Sequence, residues 1–215
     1  GAWWSHHIGT RRAFTTCRSC QRSSITEPFM TAMPAISLAV YCGSRTGNHP
    51  AYNEAAIAVG HWVGERGGQL VYGGGKNGLM GTVASAALDA GAHVIGVIPK
   101  ALMEREHANT RCTELFIVED MHERKAMMAM RSNAFIAMAG GIGTFEEIIE
   151  MWVWRQLGYH DKPLGFLNTR GYYDTFLQAM HHSMKEGFMD QSQIDLLRHG
   201  GDVADLLAQI YPAAK

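Results

Sequence analysis

Apolar residues come in short unbroken bursts along this chain, and glycine, proline, asparagine or acid closes each one. After Pro34 the bursts are ISLAVYC at 36–42, QLVYGGG at 69–75, HVIGVIP at 93–99, LFIVED at 115–120, AFIAMAGG at 134–141 and PLGFLN at 163–168. Runs of this length, apolar throughout, suit strands buried on both faces. Helical stretches separate them at 52–65, 79–90, 121–131, 145–157 and 172–186, and a last short helix is expected at 203–210. Strand alternating with helix predicts an α/β fold: a doubly wound, Rossmann-like parallel sheet with helices on both faces, one domain over residues 34–215. In such a sheet every strand-to-helix loop lies on the carboxyl edge, where ligands bind. The loops GSRTGNHP (43–50), GGGKNGLMG (73–81) and GGIGTFEE (140–147) all fall there. Arg124 and Lys125 are expected in the first turn of the helix at 121–131, on the same edge. Cations at that end oppose the helix dipole, at a cost of a few tenths of a kcal/mol that an anionic ligand would offset.

The stretch GGIGTFEE supports two readings. Thr144-Phe145-Glu146-Glu147 has the S/T-x-x-E form of a capping box, in which Glu147 only returns a hydrogen bond to the backbone. Alternatively, glycines let the backbone turn its N–H groups towards a ligand, and the helix amino end adds about half a positive charge. The second arrangement binds phosphate. Further glycine loops on the same edge and the nearby basic pair tilt the balance towards a ligand site. Neither loop is a known nucleotide fingerprint: GGIGTF lacks the G-x-G-x-x-G spacing, and GGGKNG lacks the G-K-[ST] of a P-loop.

Composition narrows the classes. The 215 residues are 47% hydrophobic and 18% charged, enough for one sizeable core. A net charge of −1 gives no reason to expect nucleic acid as a partner. No apolar run reaches the ~18 residues of a membrane span. The four cysteines, Cys17, Cys20, Cys42 and Cys112, are too few and scattered for a disulfide framework, so a reducing, cytoplasmic setting is expected. No cofactor is expected. No metal is expected either: His6-His7 with Cys17-x-x-Cys20 lacks a second pair at zinc-finger spacing.

Residues 1–33 read as an extension, flexible or foreign to the protein proper, which would then begin at Met30 or Met33. From Gly1 to Thr26 there is no acid, and Arg11, Arg12, Arg18 and Arg22 are basic. Arg11-Arg12 is not followed by the apolar stretch of a twin-arginine signal, though an arginine- and serine-rich leader also suits a transit peptide.

Five segments carry a resemblance. Ala139 to Glu147 (AGGIGTFEE) resembles the P-G-G-x-G-T-x-x-E signature of the LONELY GUY family of cytokinin-activating phosphoribohydrolases, long mislabelled lysine decarboxylases. YCGSRTGNHPAY (41–52), YGGGKNGLMG (72–81), VIPKALMERE (97–106) and MHERKAMM (121–128) resemble its other segments, in family order, over about residues 36–210. The resemblance implies hydrolysis of the N-glycosidic bond of an adenosine 5′-monophosphate bearing an N6 group, giving free base and ribose 5-phosphate. It implies Arg124 and Glu147 as the catalytic pair. It implies substrate contacts at Glu106, Arg124, Lys125, Gly140, Gly141, Ile142, Gly143 and Thr144, and a homodimer. The residue types suit that chemistry: a carboxylate can stabilise positive charge at the anomeric carbon and accept a proton from water. Ala139 stands in place of the family's proline, and Val153 in place of a common threonine near the substrate. Two other classes remain open: a non-catalytic nucleotide or molybdenum-cofactor binder of similar fold, and a pyridoxal phosphate decarboxylase, for which no lysine has a recognisable context.

A segment that buries little apolar surface cannot offset an ordering cost of roughly 1–2 kcal/mol per residue. A chain beginning at Met30 is therefore expected to keep the melting temperature of the full chain. A drop of several degrees would show that Trp3, Trp4 and Phe14 belong to the fold.

Overall fold

The computed structural model describes residues 33–212. The expected extension, its Cys17/Cys20 pair and its arginines lie outside the described residues.

Seven parallel strands form one sheet: β1 (Ser37–Tyr41), β2 (Gln69–Tyr72), β3 (His93–Pro99), β4 (Glu114–Val118), β5 (Ala134–Ala137), β6 (Leu164–Leu167) and β7 (Leu197–Gly200). Their order is β4-β3-β2-β1-β5-β6-β7. The helices between them are α1 (Pro50–Gly64), α2 (Gly78–Asp89), α3 (Met121–Met130), α4 (Ile142–Gln156), α5 (Asp174–Lys185), the short α6 (Gln191–Ile194) and α7 (Val203–Ile210). The six apolar bursts all become strands, and the fold is the doubly wound sheet that they predict.

Alternation along each strand sorts the core into two layers. Leu38, Val40, Leu70, Tyr72 and Ile136 face α1, α2 and α7. Ala39, Tyr41, Val71, Phe135 and Phe166 face α3, α4 and α5. Full burial of β1, β2, β5 and β6 explains their unbroken apolar runs. β4 departs from the expectation of burial on both faces. It is an edge strand, and Ile117 is half exposed. β7, the opposite edge, was not expected at all: its sequence, Leu-Arg-His-Gly, carries exposed Arg198 and His199. Among the described residues no helix is long and apolar enough to cross a membrane.

The chain winds outward from β1 to β4 and then crosses back to lay β5 on the other side of β1. That reversal opens a crevice beyond the carboxyl ends of β1 and β5, the switch point where such folds bind ligands. One backbone hydrogen bond spans it, from the N–H of Gly43 to the carbonyl of Ala139 at 3.0 Å.

The packing of α1 on α2 depends on a missing side chain. A Cβ at Gly60 would lie 2.7 Å from Ala86 Cβ, Ala87 N and Val83 O. Two of these three atoms are backbone and cannot swing aside. Gly60→Val is expected to destabilise the protein by about 2 kcal/mol or more, the scale of overpacking a well-filled core. Thermal unfolding checks this, and an unchanged melting temperature would contradict the close helix contact.

Candidate active site

Helix α4 begins earlier than the capping-box reading requires. Gly141 is its N-cap, with extended backbone at φ −90° and ψ −162°, and Ile142 is the first helical residue. Thr144 therefore sits third in the helix and Glu147 sixth, so Glu147 is not the acid of a Thr144 capping box. Both side chains are buried, and a spacing of three puts them on one helix face. The turn before them is close-packed. A Cβ on Gly140 would lie 2.1 Å from Thr144 Oγ1 and 2.8 Å from Gly43 N. At Gly141 and Gly143, by contrast, an added Cβ meets nothing within 4 Å. Ala139, in place of proline, is buried, and its carbonyl is held by Gly43.

Arg124 arrives from α3. Asp120 caps that helix by accepting from the N–H of Glu123 at 2.8 Å. Arg124 and Lys125 are thus its fourth and fifth residues rather than members of its first turn, which carries the acid Glu123. The cost expected from the helix dipole is smaller for it, and the protein's own oxygens meet the charge. Only 4% exposed, the guanidinium donates from Nη2 to the carbonyl of Gly73 at 2.8 Å and from Nε to that of Val97 at 3.2 Å. Nη2 also reaches Glu106 Oε2 at 3.4 Å. A Cβ on Gly73 would sit 2.0 Å from Nη2, so a side chain there would displace the guanidinium.

The two carboxylates nearest Arg124 differ in their surroundings. Burial drives the Glu147 carboxyl up from its ordinary 4.5 to about 7. Arg124 pulls it down, while Glu146 and Glu106 push it further up. The side chain is therefore poised between acid and base near neutral pH. Lys125 stands elsewhere. Successive helical residues diverge by about 100°, and its ammonium binds Glu146 and, at 2.8 Å, Glu150. Burial works against its charge, but these carboxylates outweigh burial and raise its pKa.

A cavity of about 550 Å³ opens at the switch point, within the roughly 300–1,000 Å³ usual for small-molecule sites. It gathers Arg124, Glu147, Glu106 and the whole turn Gly140, Gly141, Ile142, Gly143 and Thr144. Lys125 does not line it, and neither does Val153. Sequence reasoning missed several of its walls: Arg45 and Arg105 at the rim, and Tyr52 and Tyr172 facing each other edge to face with ring centres 5.8 Å apart. Met121 also lies on the cavity. Cys42 lies on its floor, where burial pushes the thiol well up and keeps it protonated. Three guanidinium groups against two carboxylates suit an anionic ligand. His49 accepts from the N–H of Ala51 at the start of α1, and His160 hydrogen-bonds the carbonyl of Met151. A second groove, of about 450 Å³, runs between α5 and β7 and contains none of the expected site residues.

Known proteins share the sequence and the fold of this chain. The sequence model of a family described as a possible lysine decarboxylase matches residues 80–210. A probable cytokinin riboside 5′-monophosphate phosphoribohydrolase of Oryza sativa subsp. japonica is 44% identical over 181 residues, 84% of this chain and 79% of the relative. A cytokinin riboside 5′-monophosphate phosphoribohydrolase of Arabidopsis thaliana is 44% identical over 173 residues, 80% of this chain and 81% of the relative. Among solved structures, the molybdenum cofactor carrier protein of Chlamydomonas reinhardtii has the same fold, with a TM-score of 0.60 at 21% identity over 81% of this chain and 94% of that one. At such identity the carrier speaks for the fold alone. The order of the motifs, the matched model and the similarity to these hydrolases over most of the chain together place this protein in the LONELY GUY family, the family that also carries the description possible lysine decarboxylase.

Proposed function

We propose that the protein hydrolyses the N-glycosidic bond of an N6-substituted adenosine 5′-monophosphate, releasing the free base, a cytokinin, and ribose 5-phosphate. The observation that carries the reading is one cavity that holds both an amino-terminal glycine turn, suited to phosphate, and a buried carboxyl with a pKa of about 7. The phosphate binds at Gly140 to Thr144, where the helix dipole and unpaired N–H groups favour an anion. Bound there, remote from the bond that breaks, it supplies binding energy that orients the sugar. Glu147 stabilises positive charge at the anomeric carbon and accepts a proton from the attacking water. Arg124 keeps Glu147 sufficiently acidic to serve as that base, and its rigid fork holds Glu106 in register for the substrate. Lys125 acts from behind, fixing α4 against α3 through Glu146 and Glu150.

The decarboxylase description has less support. A Schiff base to pyridoxal phosphate needs a lysine, and the cavity lining has none. A purely binding role would not require a buried base beside a guanidinium. Two finer points belong to the same proposal. The protein works as a homodimer: Ile142 on the cavity rim is 89% exposed, and Val153 further along α4 and Leu157 just after it are exposed too, so a second copy would take this apolar surface from water. It resides in the cytoplasm, a setting that suits the unpaired thiols of Cys42 and Cys112.

Incubation with adenosine 5′-monophosphate, its N6-prenyl derivative and the matching nucleosides, followed by chromatography, tests the activity. Base is expected from the nucleotides and little from the nucleosides. Equal release from both would remove the role given to the glycine turn.

Glu147→Gln is expected to lower turnover by about a hundredfold or more, the scale of losing a positioned base. The wild-type rate is expected to fall as pH drops through about 7. Because folding raises this pKa, the protonated carboxyl favours the fold below pH 4.5, and that advantage is lost as pH rises through about 7. Ionised Glu147 then costs the fold up to about 3 kcal/mol. The glutamine variant should therefore gain melting temperature over wild type, and more at pH 8 than at pH 4. An equal gain at both pH values would show that the carboxyl is not held against ionisation.

A further inference from the structure

Three consecutive carbonyls in the turn from β5 to α4 are each held from outside the turn. The carbonyl of Met138 accepts from the hydroxyl of Tyr173 at 2.7 Å. That of Ala139 accepts from the N–H of Gly43 at 3.0 Å. That of Gly140 accepts from the hydroxyl of Tyr172. A trans peptide is a rigid plane in which the C=O of one residue points opposite to the N–H of the next. Fixing the carbonyl of Ala139 therefore aims the N–H of Gly140, and fixing the carbonyl of Gly140 aims the N–H of Gly141. Among the described residues neither of these two N–H groups has an acceptor. Ile142 and Gly143, the first helical residues of α4, add N–H groups that no helix can satisfy internally.

The two tyrosines sit on a tightly specified support. Arg170 and Gly171, just before them, both adopt left-handed backbone, at φ 57° and 71°. Non-glycine residues rarely hold that conformation, and where they do the surroundings impose it, often at functional sites. Here Asn168 imposes it: its Oδ1 accepts from the N–H of Tyr173 and its Nδ2 donates to Asp174 Oδ1, both at 2.7 Å. A Cβ on Gly171 would lie 2.4 Å from Asp174 Oδ2. Tyr173 is fully buried, with its ring against Phe166 and Phe145. Tyr172 reaches the cavity wall and meets Tyr52 edge to face.

The geometry points to Tyr172 as a positioning residue that sets phosphate affinity by holding the carbonyl of Gly140 and so directing the N–H of Gly141 into the cavity. The inference rests on the phosphate reading of the glycine turn given above. It assigns the two hydroxyls different work. That of Tyr173 anchors Met138, the first residue of the turn after β5. That of Tyr172 sets the peptide that faces the ligand. No bond is made or broken through either ring.

Calorimetric titration of the full chain with ribose 5-phosphate and, separately, with adenine separates these roles. Tyr172→Phe keeps the ring and its contacts, and removes only the hydroxyl. It is expected to weaken ribose 5-phosphate binding about five- to tenfold, the worth of one hydrogen bond's orienting effect, and to leave adenine binding and the melting temperature unchanged. Tyr173→Phe is expected to lower the melting temperature and leave ribose 5-phosphate affinity within about twofold of wild type once folded. Unaltered ribose 5-phosphate affinity in Tyr172→Phe overturns the inference. So does an equal loss for both ligands, or the same loss in both variants, because each marks general loosening of the site. Wild-type protein that binds no ribose 5-phosphate overturns the phosphate reading itself, and the inference with it.

Discussion

A guanidinium with almost no exposure to water holds the carboxyl edge of the sheet together. Arg124 takes the carbonyls of Gly73 and Val97, so it ties together the ends of β2 and β3. Carbonyls at that edge have no further strand to pair with, and buried without a donor each would cost on the order of 1–3 kcal/mol. A lysine could not replace it, because only the planar fork presents donors to two carbonyls and a carboxylate at once. Much else follows from that placement. A side chain on Gly73 would push the guanidinium aside, the long segment after β3 must bring Glu106 within reach, and Glu147 ionises in the field of a permanent cation.

The site is therefore built on opposed demands. Burial makes Glu147 reluctant to ionise, while Arg124 makes the ionised form attainable near neutral pH. Neither effect alone gives a base suited to neutral conditions. The sheet resolves the conflict by bringing the two residues from different helices to one crevice, with apolar packing behind them and the open turn in front.

Much of this was legible in the sequence, and the failures have physical causes. Strands buried on both faces announce themselves, because every position must be apolar. β7 and the outer face of β4 do not, because edge strands tolerate Arg198, His199 and an exposed Ile117. The capping-box pattern at Thr144 was ambiguous by construction: the motif fits any helix starting there, and only the three-dimensional turn shows Gly141 as the cap. The resemblance implies a substrate contact for Lys125, yet neighbours on a helix point in different directions, and Lys125 does not line the cavity that Arg124 does. Tyr172 was invisible as a site residue because its partner, Gly140, lies 32 residues away, and no local spacing records such a contact.

Helix α4 is also tied at its far side. Trp152 Nε1 donates to the carbonyl of Gln193 at 2.9 Å, and Arg155 Nη1 donates to that of Leu196 at 3.0 Å. These acceptors lie in the segment from α6 to β7, far beyond Glu147 in the chain. During synthesis the ribosome delivers the glycine turn and both members of the charged pair well before Tyr172, Tyr173 or the acceptors of Trp152 and Arg155 exist. A nascent chain can lay down the centre of its sheet early, but the helix that bears Glu147 gains its last anchors only after the β7 segment has cleared the exit tunnel. The cavity wall that Tyr172 supplies is thus added only after both members of the charged pair have been made.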